Sequence, residues 1–145
     1  MALWLSRGVL VVVAAILTLI SQRYLRDPVG GAAERGIVLS SPLAATIARV
    51  GFGAFPLACA IIVAWCLAAA DRLRAGLWFV VILFGTVLVV RVAGAVVDKS
   101  LSESIPLIIP EVVFLALTAT ALIVGSRPAE ERSWPDARRS AGGPL

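Results

Sequence analysis

The chain has 145 residues, 60% of them hydrophobic and 15% charged, with 13 Lys and Arg against 9 Asp and Glu and no histidine. A mean hydropathy of +0.98 is too high for a water-soluble domain of this size and assigns the chain to the membrane class. Without histidine, imidazole metal sites, histidine proton relays and Ser-His triads are excluded.

Crossing ~30 Å of hydrocarbon takes about 20 apolar residues at 1.5 Å of rise each. The runs long enough are Leu3 to Ile20, Thr46 to Ala70, Leu77 to Val97 and Ile105 to Gly125. They predict helices over about 3–23, 42–70, 77–97 and 105–125. Residues 1–125 then form an all-α polytopic membrane protein, an antiparallel four-helix transmembrane bundle, and 126–145 a disordered cytoplasmic tail.

In the first run, Arg7 ahead of Gly8 to Ile20 resembles a signal peptide, but "SQRYLRDPVGG" lacks a small-x-small cleavage site. Trp4 suits the interfacial anchor of a retained helix, and Arg7 can snorkel to the headgroups. The following "RDPVGGAAERG" combines proline, glycines and mixed charge and is expected to be a flexible loop. Ser41 before Pro42 reads as an N-cap with proline at the first helical position.

Within the second helix, Pro56 removes a backbone hydrogen bond, and with Gly51 and Gly53 it predicts a kink or close packing at that level. Cys59 and Cys66 are seven residues apart, about 10 Å along a helix, too far for a disulfide, so both read as packing residues. Gly51, Gly53 and Gly94, with Ala60, Ala64 and Ala68 at four-residue spacing, predict close helix packing, a dimer face being the alternative.

The third run contains one charge, Arg91, seven residues or about 10 Å before its end at Asp98. Glu111 lies at a matching depth in the fourth run, and Arg49 enters from the same side in the second. A lone charge near the bilayer centre costs roughly 2.5–3.5 kcal/mol on insertion scales, so such groups turn inward and pair. Arg49, Arg91, Glu111 and Asp98 are therefore the candidate cluster, with Arg91 and Glu111 as natural partners and an excess of positive charge suited to an anion. Pro110, beside Glu111, is expected to weaken the first turns of the fourth helix and leave amides free there. A purely structural Arg–Glu pair is the competing account.

Basic residues orient the bundle. Arg7, Arg72, Arg74, Arg127, Arg132, Arg138 and Arg139 fall on the side of the termini, against Arg23, Arg26, Arg35 and Lys99 on the other. Positive charge favours the cytoplasm, so both termini are expected there. No basic–aromatic interleaving marks a nucleic-acid surface, and no Gly-rich phosphate loop follows a strand.

"GIVLSSP", "RVGFG", "VVRVAGAVVD" and "PEVV", in this order on successive apolar runs, resemble the bacterial family called domain of unknown function 4345 over about Gly36 to Val124. Phe52 separates the glycines that this family pairs, and Lys99 stands where it has glycine. A fainter similarity links the chain to DoxX-like four-helix membrane proteins. The resemblance implies a small multi-pass protein of the bacterial inner membrane and supplies no activity, cofactor or metal.

The resulting expectation is an accessory or binding protein that touches membrane lipids and holds an anionic lipid or small anion through Arg49 and Arg91, with Glu111 orienting them. A homodimer or a membrane protein partner stays open. The alternative is a small transporter or membrane enzyme for a lipid or other amphiphile, with Glu111 exchanging protons.

Overall fold

A computed structural model describes residues 2–125, and the tail expected to be disordered, 126–145, lies outside the described residues. The described chain is helical throughout, with no strand: α1 (Ala2–Arg26), α2 (Pro28–Ala33), α3 (Pro42–Ala48), a π-helical turn (Arg49–Ala54), α4 (Phe55–Leu67), a 3₁₀ turn (Ala70–Arg72), α5 (Leu73–Val97) and α6 (Leu101–Gly125). Helices spanning Leu3–Arg26, Pro42–Leu67, Ala70–Val97 and Leu101–Gly125 are long and apolar enough to cross a membrane.

The α-helical bundle is thus the one predicted, with shifted boundaries. The segment after α1 is ordered where a flexible loop was expected. Asp27 caps α2 by accepting from Gly30 N at 2.9 Å, with Pro28 in the first turn. Gly36, at φ +73°, ends the helix, as Ile37 N bonds Ala32 O and Gly36 N bonds Ala33 O. Arg23 reaches from α1 to Asp27 and Glu34 and holds the Glu34 carboxyl below the ordinary carboxylate range, chiefly through their hydrogen bond.

Ser41 caps α3 as predicted, accepting from Ala44 N at 3.1 Å. The disturbance around Pro56 is absorbed by a change of ladder. Proline has no N–H, and its ring crowds the carbonyl four residues back, here Phe52. The preceding turn widens, so that Phe55 N bonds Val50 O, five residues back, and the helix then continues as α4.

α4 ends at Leu67 rather than residue 70, and α5 starts at Leu73 rather than 77. The seven-residue connection expected after α5 shrinks to Asp98, Lys99 and Ser100, because Lys99 takes φ +53° and closes the helix. Ser100 N bonds Ala95 O at 2.9 Å and Lys99 N bonds Val96 O at 3.4 Å, the double closure of a Schellman turn.

α1 lies along α4 and the π turn, and α5 pairs with α6; α1 against α6 and α4 against α5 close the ring. Val9, Leu10, Val13 and Leu17 of α1 meet Cys59, Ala60 and Val63 of α4, Leu73, Leu77 and Val80 of α5 and Ala121 of α6. This core fills the half of the bundle nearest the 3₁₀ turn. Gly76 makes the close approach there, since a Cβ would meet Cys66 Cβ at 2.8 Å and Leu10 Cδ1 at 3.1 Å.

Residues such as Ile61, Ile82, Val89, Val97 and Ile123 point outward and exposed, the inverse of a soluble bundle and the surface that hydrocarbon would cover. Exposed Trp4, Trp65 and Trp78 share the end that carries Arg7, Arg72 and Arg74, with the Arg72 guanidinium 4.2 Å from the Trp65 ring centroid. An aromatic belt of this kind marks a membrane–water interface.

Candidate functional site

In the half of the bundle away from that belt, α5 and α6 meet through a charge pair. Positions 73, 77, 80, 84, 88, 91 and 95 recur at three- or four-residue intervals and lie on the more enclosed face of α5, which brings Arg91 to the seam. Glu111 occupies the corresponding face of α6, in line with Thr118 and Ala121, and is buried. Arg91 Nε donates to Glu111 Oε1 at 2.9 Å and Oε2 at 3.0 Å, and Arg91 NH2 lies 2.7 Å from Oε1. Charge-assisted contacts of this kind are stronger than neutral ones and satisfy both charges where water is scarce.

The pair is asymmetric. The Glu111 side chain is 11% exposed and that of Arg91 32%. No hydrogen bond or ion pair to another described residue occupies Arg91 NH1, and the guanidinium borders a shallow groove on the outer surface of α5 with Thr86, Val87 and Val90. A cation at the head of an apolar groove can receive an anion without giving up its internal partner.

The other predicted members do not join. The π turn that begins with Arg49 lies on α1, and Arg49 is exposed with no ion pair among the described residues. Asp98 is exposed at the end of α5, its backbone N–H bonding Gly94 O. The expected net-positive cluster is thereby reduced to a balanced pair plus two separate surface charges, because sequence depth carries no information on azimuth.

Pro110 lies in mid-helix, since α6 begins at Leu101. Interior prolines leave carbonyls without donors, here those of Pro106 and, through Pro106 itself, Ser102, so the freed groups are acceptors rather than the amides expected. Of the packing residues, Gly53 is buried and its missing Cβ would meet Leu25 Cδ2 at 2.9 Å, and Pro56 is half-buried. Gly51 and Gly94 have no atom within 4 Å of a Cβ and so make no close packing contact within the monomer. Ala64 and Ala68 are also exposed, while Cys59 and Cys66 are buried free thiols.

Sequence reasoning missed a polar stripe on α1. Ser21 and Tyr24, one turn apart, are buried, and neither hydroxyl has a hydrogen-bond partner among the described residues. Tyr24 packs on Gly31 of α2, its ring centroid is 5.1 Å from that of Phe52, and Arg35 lies over it at 5.7 Å. An amphipathic tyrosine near a helix end was the available signal. Comparison with protein-family models, curated proteins and solved structures finds no match.

Proposed function

We propose that this chain is an accessory or binding protein of a bacterial inner membrane, allied to the domain of unknown function 4345 family through its motif order, with both termini cytoplasmic. Its ligand is an anionic amphiphile, bound with the acid group on Arg91 and the chain along Val90 and Val87. The observation that carries this reading is the division of Arg91 between Glu111, which holds Nε and NH2, and an apolar groove open beside the guanidinium. Arg49, exposed on another face, is a separate headgroup contact.

The transporter or enzyme alternative requires Glu111 to exchange protons. Both of its oxygens are engaged by Arg91, so each exchange would break a buried pair, and binding is the better-supported reading.

Removing one partner strands the other, so Arg91→Ala or Glu111→Ala alone should cost about 3–5 kcal/mol of stability. The double variant Arg91→Gln/Glu111→Gln keeps an amide–amide hydrogen bond and removes both charges. Native mass spectrometry with dodecanoate should show occupancy in the wild type and its loss in the double variant at nearly unchanged thermal stability. Equal occupancy in both would leave the pair as interhelical glue.

A further inference from the structure

We infer that the opposite end of α5 carries a second site, for an anionic diacyl phospholipid whose phosphate binds Arg74. Arg74 is exposed, forms no ion pair or hydrogen bond among the described residues, and borders two apolar clefts at once. One cleft, of about 280 Å³, opens between helices and is walled by Leu3 and Ser6 of α1, Leu73 and Leu77 of α5 and Ala121 of α6. The other, about 260 Å³, lies on the outer surface between α5 and α6 and is walled by Trp78, Val81, Ala119 and Ile123. Leu122 stands between them and lines both.

The shape matches one ligand class. A single cation at the common mouth of two apolar clefts suits one acidic headgroup with two hydrocarbon chains, whereas a free anion would use the cation and neither cleft. Arg74, Trp78 and Val81 follow one another at four- and three-residue intervals on one face of α5, so the outer cleft extends roughly 10 Å below the guanidinium at helical rise. Trp78 is half-exposed and shares this end with Trp4 and Trp65, which sets Arg74 at headgroup level with the clefts running into hydrocarbon. Basic pockets between membrane helices recognise anionic headgroups in this manner.

The site shares no residue with the Arg91 groove, so the two stand or fall separately. The test is native mass spectrometry of the full chain released from nanodiscs containing phosphatidylglycerol or phosphatidylcholine. Wild type should retain phosphatidylglycerol preferentially. Arg74→Gln should reduce that retention about tenfold, the loss of one charge-assisted contact, and Arg74→Lys should keep most of it. Arg72→Gln removes an equal charge from the same end, but its guanidinium lies over Trp65, so it should leave retention unchanged.

Ala119→Phe, which fills the outer cleft without touching the charge, should also displace the lipid, and it serves if Arg74→Gln fails to fold. Equal retention of the two lipids, equal effects of Arg72→Gln and Arg74→Gln, or displacement by excess inorganic phosphate would overturn the assignment. Loss of a dimer rather than of lipid in Arg74→Gln would give the face to a second copy of the chain and likewise overturn it.

Discussion

Lys99 illustrates how much one side chain can cost. It occupies the left-handed region at φ +53°, where a residue with a Cβ loses roughly 1–2 kcal/mol relative to glycine. The turn is retained because Ser100 and Lys99 close the end of α5 through two backbone bonds. Lys99→Gly should therefore stabilise the protein by about 1 kcal/mol, visible as a higher melting temperature in detergent. A lower one would mean that the lysine makes a headgroup contact worth more than its strain. Arg91 is the contrary case, a costly residue whose partner lies 20 positions away.

At the level of elements, the second membrane span is the least regular. It is built as α3, a π turn and α4, with Pro56 just past the turn, and its seat on α1 depends on Gly53. A Cβ at Gly53 would press on Leu25, including its backbone N at 3.4 Å, whereas one at Gly51 meets nothing within 4 Å. Gly53→Val should accordingly cost about 1–3 kcal/mol by forcing the π turn off α1. Gly51→Ala should be neutral or mildly stabilising. Thermal unfolding of the two variants side by side measures the difference, and equal losses would show that the turn does not bear on α1. Both glycines carry the same sequence signal, a small residue a turn before a proline, and only the neighbour at Leu25 separates them.

For the whole molecule, the apolar core lies in one half and the charge pair in the other. In the orientation proposed above from the charge count, the core half and the termini would face the cytoplasm. A reporter fused after Arg127 should then behave as cytoplasmic, and a cysteine at Val38, 88% exposed in the connection before α3, should react with an impermeant reagent from outside. The reverse labelling would turn the bundle over and move the Arg91 groove to the cytoplasmic leaflet, while its geometry stayed the same.

Helix number, helix type and the common level of Arg91 and Glu111 were legible in the sequence, because hydrocarbon thickness and helical rise convert residue counts directly into levels. Depth alone paired Arg91 with Glu111 and, by the same reasoning, added Arg49 and Asp98. Only the tertiary structure decided azimuth: α5 and α6 turn the first two residues together, while the π turn seats Arg49 on α1 and Asp98 ends exposed past the last turn of α5. The clefts at Arg74 have the same origin. Leu3, Leu77 and Ala121 come from α1, α5 and α6, so their shared cleft exists only where those helices meet.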